Sequence, residues 1–258
     1  MSTSLTRREE RLLRSLAQRK HREAEGLFLA EGVRAVEDLL ASSLPVRLVV
    51  ASSSLGDAQR GAELLQLIDQ QRIALREIDD RALRELADTE QPQGVLAIAE
   101  IPRRSLDDLD AAADPAVILA LDAVQDPGNF GTLARTAEAL GAIGVIALPG
   151  TVDAWNPKAV RAAMGSSFRL PIVAAAWEEA GPWLAERGFA TVAAVVGAEP
   201  LPSPPPRRAA LVLGNEGAGV GEETLARADV RAGIPLRGRA ESLNVGAAGA
   251  ILLHELLR

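Results

Sequence analysis

Three short segments in the C-terminal half of the sequence combine glycine with polar side chains that could bind a ligand or act on one. They are residues 126–137, 211–219 and 234–245. The second follows an apolar run and becomes a glycine-rich turn that carries one amide and one carboxylate. Such turns, like the N-termini of helices, present backbone N–H groups where a ligand can approach the main chain closely. The three segments together predict one ligand site.

Five polar residues in these segments are candidates for chemistry: Asn129, Arg135, Glu216, Ser242 and Asn244. The guanidinium of Arg135 stays protonated in proteins, so it could act through its charge but not as a simple general base. Four of these residues could instead have a purely structural role. Asn129 and Ser242 could cap helices. Arg135 could be a solvated helix residue, and Glu216 could simply occupy a turn, so the residues alone leave both interpretations open.

Two successive alternations of strand and helix would position these segments. The first predicts an amphipathic helix over residues 7–20 and strands at residues 27–31, 46–51, 73–78 and 94–99, with helices between the strands. The second begins at residues 116–121, an almost unbroken apolar run typical of a buried parallel strand. It continues with strands at residues 143–148, 171–174, 191–196 and 209–213. This order predicts two α/β domains, the second with a mainly parallel sheet.

The domain boundaries follow from composition. A Pro-, Arg- and Asp-containing stretch predicts a linker over residues 101–114, between a first domain over residues 1–100 and a second over residues 115–258. The closing helix, predicted over residues 242–257, is apolar on nearly every side. A helix of that kind is buried or packs on another subunit, so a homodimer is expected.

Composition excludes several classes of protein. The 258 residues contain no Cys, which excludes disulfides and thiol nucleophiles, and the two His residues, His21 and His254, lie far apart, so no metal site is expected. Tyr is absent and aromatic residues make up only 3%, which argues against recognition of single-stranded bases mainly by stacking. No apolar run reaches membrane-spanning length. A soluble, cytoplasmic protein without membrane partners is expected.

The formal charge of −7 is unevenly distributed along the chain. Residues 1–34 carry 8 Lys and Arg against 5 Asp and Glu, residues 35–114 carry 8 against 16, and residues 115–258 carry 12 against 14. The acidic excess therefore lies in the middle, and the basic N-terminal stretch could still face nucleic acid. It could equally be the solvated face of an ordinary amphipathic helix.

The three motifs resemble those of the SpoU/TrmH branch of the SPOUT RNA methyltransferases. The matching residues, in the family's order, are Asn129-x-Gly131-x-x-x-Arg135, Leu213-Gly-Asn-Glu-Gly217, and Ile234-Pro followed by Ser242-Leu-Asn-Val245. The resemblance implies a C-terminal SPOUT domain with a deep trefoil knot. Residues 16–22 and 26–34 also resemble the small ribosomal-protein-like α/β domain that binds substrate in many members.

This resemblance implies 2′-O-methylation of a ribose in structured RNA, with S-adenosyl-L-methionine as cofactor and ribosomal RNA as the expected substrate. It makes Arg135 the residue closest to the acceptor hydroxyl, with Asn129 and Glu216 as its positioning partners, and it includes Ser242 and Asn244 among the catalytic residues. The cofactor contacts that it implies are Leu213, Gly214, Ile234, Leu236, Ser242 and Leu243. The expected RNA contacts are Arg19, Lys20, Arg22, Arg34 and Arg135.

Two alternatives remain open at this point: transfer RNA as the substrate, and a non-catalytic RNA-binding or assembly factor on the same scaffold. The intact set of motif residues argues against the second. A nicotinamide-dinucleotide enzyme is excluded, because no Gly-x-Gly-x-x-Gly directly follows the first strand of either half.

Overall fold

The computed structural model describes residues 4–109 and 112–258, which form two compact units. The first unit contains the chain up to Pro102 together with Trp155–Phe168. The second contains Arg103–Ala154 and Arg169–Arg258. Neither unit is therefore continuous in sequence.

The elements alternate along most of the chain. The helices are α1 (Arg7–Ser15), α2 (Arg19–Glu25), α3 (Val33–Leu40), α4 (Gln59–Gln70), α5 (Asp80–Leu86), α6 (Pro127–Leu140), α7 (Pro157–Ala163), α8 (Ser166–Arg169), α9 (Trp177–Glu186), α10 (Glu222–Arg227) and α11 (Val245–Leu257). The strands are β1 (Leu27–Glu31), β2 (Val46–Ser52), β3 (Leu75–Ile78), β4 (Val95–Glu100), β5 (Ala116–Asp122), β6 (Gly144–Ala147), β7 (Ile172–Ala174), β8 (Ala190–Ala194), β9 (Arg208–Gly214) and β10 (Val230–Ala232). Among these residues, no helix is long and apolar enough to cross a membrane.

Each unit is built on one sheet. The first has the order β1-β4-β2-β3, with β4 antiparallel to both of its neighbours and β2 parallel to β3. The second has the order β10-β8-β9-β5-β6-β7 and is parallel throughout. The predicted α/β class and the mainly parallel second sheet are confirmed.

The second sheet reverses its winding at β5. From β5 the chain adds β6 and β7 on one side, and then β9, β8 and β10 lie on the other. In open parallel sheets ligands bind at such a reversal, outside the carboxyl ends of the strands. The register places Asp122, the last residue of β5, beside Gly214, the last residue of β9. The first motif segment follows β5 and the second includes the end of β9. The third follows β10 and leads into α11, which packs against β9.

Helix α11 lies against α6 and β9, and a glycine allows this close packing. A Cβ atom at Gly249 would be 2.3 Å from Leu133 Cδ2 and 2.7 Å from Leu213 Cδ1. Gly246 also faces α6, and a Cβ atom there would lie at an ordinary contact distance of 3.5 Å from Thr132 Cγ2. Small residues in α11 thus bring the third motif next to the first.

Two predicted helices differ from those of the structure. The helix predicted over residues 7–20 is two helices, α1 and α2, because the Arg22 guanidinium donates to the carbonyl oxygens of Leu16 and Ala17, at 2.7 and 2.9 Å, and so satisfies the end of α1. The closing helix begins at Val245, and its N-cap is Asn244 rather than Ser242.

The compact units group the chain differently from the predicted domains in two places. Trp155 and Phe168 pack in the first unit, with ring centroids 4.5 and 5.7 Å from that of Phe28. Part of the predicted linker belongs to the second unit, where the Asp107 carboxylate accepts a hydrogen bond of 3.0 Å from Trp183 Nε1.

Candidate active site

The second motif forms a closed loop directly after β9. Asn215 and Gly219 exchange backbone N–H···O hydrogen bonds of 2.9 Å in both directions. The Asn215 side chain accepts from the N–H groups of Gly217 and Ala218, at 3.0 Å each, and donates to the Ala123 carbonyl oxygen at 3.0 Å. One side chain therefore closes the loop and attaches it to the end of β5.

Gly214 is required by the shape of this loop. A Cβ atom at this position would lie 2.1 Å from the carbonyl carbon of Gly219 and 2.2 Å from the Val220 nitrogen. Both are backbone atoms, so no side-chain rotation can relieve the overlap. The glycine is needed because the loop folds back onto its own main chain.

One polar residue from each of the three motifs takes part in a single chain of hydrogen bonds. Asn244 Nδ2 donates to Asn129 Oδ1 at 3.1 Å, and Asn129 Nδ2 donates to Glu216 Oε1 at 2.9 Å. The Glu216 carboxylate also accepts from the backbone N–H groups of Gln125 and Asp126, at 3.2 and 3.1 Å. The structure thus brings together Asn129, Glu216 and Asn244, which the sequence predicted as site residues.

The groups at both ends of this hydrogen-bonded chain determine which atom of each amide donates. Asn244 Oδ1 accepts from the N–H groups of Gly246 and Ala247 at the start of α11, so its amide nitrogen must face Asn129. At the other end Glu216 meets only donors, which requires the Asn129 nitrogen to face the carboxylate. Asn129 is not the N-cap of α6, since Asp126 Oδ1 takes that role by accepting from the Asn129 N–H at 2.8 Å.

Glu216 is ionised at neutral pH. Burial favours its neutral form, but the hydrogen bonds from Asn129 and from the backbone N–H groups, including those of Asp126 and Gln125, outweigh burial and hold the pKa of Glu216 below its ordinary value. The carboxylate therefore serves as a fixed anionic acceptor that attaches the second motif to the start of α6.

Glu216→Gln is expected to lower the melting temperature at neutral pH, by an amount that shrinks as the medium becomes acidic. A glutamine has one acceptor oxygen, so its N–H₂ group must face at least one of the three N–H donors around Glu216. Because the folded pKa of Glu216 is depressed, the stabilisation is complete above the unfolded pKa of about 4.3 and is lost as the pH falls through the folded value. Thermal unfolding between pH 7 and pH 3 measures the difference in melting temperature between the variant and the unaltered protein.

The control for this substitution is Glu241→Gln, since Glu241 is exposed in the third motif segment. A difference in Tm between Glu216→Gln and the unaltered protein that did not change with pH would contradict the prediction.

The predicted cofactor residues line one cleft beside this hydrogen-bonded chain. All six form part of its wall: Leu213, Gly214, Ile234, Leu236, Ser242 and Leu243. The cleft has a volume of about 200 Å³. That is less than most small-molecule sites enclose, so a bound ligand would extend past its open side.

The lining of the cleft suits a ligand with both polar and apolar parts. Three of its apolar side chains are unusually exposed: Val196 at 71%, and Leu236 and Leu243 at 37% each. Exposed apolar side chains around one cleft indicate a surface that a ligand covers. The glycine-rich loop adds main-chain groups to the same wall, so S-adenosylmethionine, with its adenosine and amino-acid portions, fits the residues present.

Sequence reasoning missed Val196, which follows β8, and the loop-closing role of Asn215. Nothing in a Val-Val-Gly sequence distinguishes a cleft residue from a strand end. For Asn215 a signal did exist, because an Asn before small residues often accepts from backbone N–H groups two and three positions on.

Arg135 is exposed on α6, and within the part of the chain that the structure describes its side chain makes no hydrogen bond or ion pair. The predicted positioning by Asn129 and Glu216 is not present as direct contact. Arg135 lies six residues beyond Asn129 on the same helix, which turns it about 240° around the axis. Ser242 is also exposed and lines the cleft without capping α11.

The predicted RNA contacts of the first unit differ in exposure. Arg22 is only 1% exposed and donates hydrogen bonds to main-chain carbonyls, so the structure gives it a role inside the first unit and does not present it at the surface. Lys20 and Arg34 are exposed, and Arg19 is exposed while paired with Glu23 at 2.6 Å. Arg34 also lines a cleft of about 700 Å³ in the first unit.

Comparison with known proteins gives two family matches. Residues 116–254 match the SpoU rRNA Methylase family, and residues 11–97 match the MRM3-like substrate binding domain. The chain is 34% identical over 248 residues to the 23S rRNA (guanosine(2553)-2′-O)-methyltransferase RlmP of Bacillus subtilis, covering 94% of this chain and 93% of that protein. It is 31% identical over 252 residues to the 23S rRNA (uridine(2479)-2′-O)-methyltransferase of Streptomyces viridochromogenes, covering 94% and 86%.

Solved structures are similar over nearly the whole chain. The AdoMet-bound rRNA methyltransferase from Sinorhizobium meliloti superposes with a TM-score of 0.86 at 32% identity, covering 98% of this chain and 95% of that one. The SpoU methyltransferase AviRb from Streptomyces viridochromogenes, in complex with AdoMet, has a TM-score of 0.86 at 27% identity, covering 98% of this chain and 97% of that one.

Across the described ranges, no cluster of three His, Asp or Glu side chains could hold a metal ion.

Proposed function

The chain belongs to the SpoU rRNA methylase family, and we propose that it transfers a methyl group from S-adenosylmethionine to a ribose 2′-hydroxyl of ribosomal RNA. One observation carries this proposal: one polar residue from each of the three motifs, Asn129, Glu216 and Asn244, forms a single hydrogen-bonded chain beside the cleft lined by the six predicted cofactor residues. The relatives named above act on 23S rRNA, which favours large-subunit RNA as the substrate.

When bound, S-adenosylmethionine supplies a methyl group activated by its sulfonium centre. The main chain around Gly214 and the side chains of Ile234 and Leu243 hold it and exclude water from the apolar side of the cleft. The Asn244–Asn129–Glu216 chain ties the start of α6 to the two cofactor loops. Helix α6 in turn carries Arg135, so donor and acceptor groups are held by one rigid set of elements.

Arg135 acts on the acceptor through its charge. A ribose 2′-hydroxyl is a poor acid, and a guanidinium near it stabilises the oxygen as its proton leaves. The same fork-shaped group can hold an RNA phosphate through two parallel hydrogen bonds. Arg135 is exposed and makes no hydrogen bond or ion pair within the described residues, so its donors are not used inside the chain.

Transfer of tritium from labelled S-adenosylmethionine to purified rRNA tests the proposed function. Isothermal titration with S-adenosylhomocysteine, with NAD as the control ligand, tests the cofactor independently. We expect incorporation into 23S rRNA, and nuclease digestion should place the label on a 2′-O-methyl nucleoside. Label in transfer RNA alone would favour that substrate instead, and binding of S-adenosylhomocysteine without transfer to any RNA would favour a non-catalytic assembly factor.

The first unit binds the RNA backbone through exposed basic residues, with Arg34 in its 700 Å³ cleft beside Arg60 and Arg84. Arg34→Ala is expected to weaken rRNA binding and to reduce the slope of log affinity against log salt by about one, because one phosphate contact is lost. Filter binding at several salt concentrations measures this. Arg81→Ala, exposed on the same unit but outside the cleft, is the control, and equal slopes in both variants would contradict the assignment.

The enzyme forms a homodimer through the outer faces of α6 and α11. On α11 the exposed positions include Ala247 and Ile251, and Ile251 is a large apolar side chain at 38% exposure. Light scattering at micromolar concentration is expected to give twice the 27.1 kDa of one chain. Ile251→Lys should shift that mass toward the monomer, whereas Met164→Lys, at 37% exposure in the first unit, should not. A monomeric mass for the unaltered protein would refute this interface.

Two further features follow from the family resemblance. The chain from Ser242 onward passes through a loop of the second unit to form a trefoil knot, and a crystal structure in which residues 242–258 pass through no loop would contradict it. The enzyme works in the cytoplasm, where its rRNA substrate is assembled, and cell fractionation tests this placement.

A further inference from the structure

A second polar chain lies behind the second motif. Trp177 Nε1 donates to Thr224 Oγ1 at 3.0 Å, and Thr224 Oγ1 donates to Asp122 Oδ2 at 2.6 Å. The same carboxylate oxygen accepts from the Gly221 N–H at 2.8 Å. Trp177 is 4% exposed and Thr224 is 1% exposed, so this second hydrogen-bonded chain is anchored in the core of the second unit.

Asp122 and its neighbour Ala123 hold the two ends of one loop. The loop begins at Gly214, the register partner of Asp122, and Asn215 donates to the carbonyl oxygen of Ala123. Gly221, at the far end, donates to the carboxylate of Asp122. The segment between these two attachments contains the glycine-rich part of the cleft wall, while Asp122, Thr224 and Trp177 do not line the cleft.

We propose that Asp122 is a positioning residue for cofactor binding, which acts by fixing the loop of residues 214–221 from behind. This inference rests on the proposed function, because the loop is assigned to S-adenosylmethionine. A glycine-rich loop has many accessible conformations when it is unrestrained. Each ligand-binding event would then have to order it, whereas a loop fixed beforehand binds more tightly.

The hydrogen-bond pattern distinguishes the substitutions that should matter. A single oxygen of Asp122 accepts both bonds, so the amide oxygen of an asparagine could take its place. Alanine offers no acceptor and releases both Gly221 and Thr224. The control is Asp107, a second carboxylate of the same unit that lies away from the cleft and accepts directly from a tryptophan indole, Trp183 Nε1, at 3.0 Å.

Isothermal titration with S-adenosylhomocysteine, in the absence of RNA, tests the inference on the full-length chain. Asp122→Ala is expected to weaken binding by about tenfold or more, while Asp122→Asn and Asp107→Ala stay within about threefold of the unaltered protein. Melting temperatures of all variants separate affinity from stability. A merely structural role would lower Tm in both alanine variants without separating their affinities.

The outcomes distinguish this inference from the proposed function. If the unaltered protein does not bind S-adenosylhomocysteine, the proposed function fails. If the unaltered protein binds and Asp122→Ala has the same affinity as Asp107→Ala, the inference is overturned. Should Asp122→Ala be insoluble, Thr224→Val replaces the hydroxyl of the same hydrogen-bonded chain by a methyl group and is expected to weaken binding in the same direction.

Discussion

Arg135→Ala is expected to lower the rate of methyl transfer by roughly 10²–10³-fold, the scale of a lost electrostatic contact to a developing negative charge. Affinity for S-adenosylhomocysteine should stay within about threefold, because Arg135 contributes nothing to the cofactor cleft. Single-turnover methylation of rRNA at saturating cofactor measures the first quantity, and titration measures the second. A large loss of rate with little loss of cofactor affinity is therefore the expected result.

Arg135→Lys is the matched variant. It keeps the positive charge but loses the planar fork, so it should recover part of the rate and none of a bidentate phosphate contact. If Arg135→Ala turned over its RNA at a near-normal rate, another residue would have to activate the 2′-hydroxyl. Loss of cofactor affinity in the same variant would instead place Arg135 on the donor side.

Gly214→Ala is expected to weaken binding of S-adenosylhomocysteine by about 10- to 100-fold, the range that forced overpacking produces. The cause lies within the loop rather than in direct contact with the ligand. A Cβ atom would stand 2.1 Å from the Gly219 carbonyl carbon, which requires the backbone pairing of Asn215 with Gly219 to open. Titration of the purified variant, with circular dichroism to verify folding, measures the effect.

Gly238→Ala is the control for that substitution. Gly238 belongs to the third motif segment, and a Cβ atom there would meet no heavy atom within 4 Å. The variant should therefore bind S-adenosylhomocysteine as the unaltered protein does. Equal losses in both variants would show that any added methyl group near the site is harmful and that the fold of the loop is not the reason.

Local chemistry made much of the fold predictable. Strand β5 is an apolar run from Ala116 to Leu121, each residue at most 1% exposed, and such a run suits only a strand covered on both faces. The start of α11 was less predictable, since Ser242 and Asn244 are both good caps two residues apart. The structure favours Asn244 because its amide also donates to Asn129, a contact between segments far apart in sequence.

The site was predictable as a set of residues but not as a set of contacts. The motifs located Asn129 and Glu216, yet their hydrogen bond joins residues 87 positions apart and depends on the adjacent ends of β5 and β9. The burial of Arg22 was also hidden, because nothing in a run of basic residues indicates which one turns inward to satisfy carbonyl groups at the end of a helix.

The membership of Trp155–Phe168 in the first unit has a consequence for synthesis on the ribosome. Phe28 is fully buried, and two of the rings that contact it belong to Trp155 and Phe168. Domains commonly fold in the order in which they emerge. Here the N-terminal unit cannot complete its core until more than half of the polypeptide has left the exit tunnel. The nascent chain therefore carries an incompletely packed first unit until Trp155 and Phe168 have both emerged.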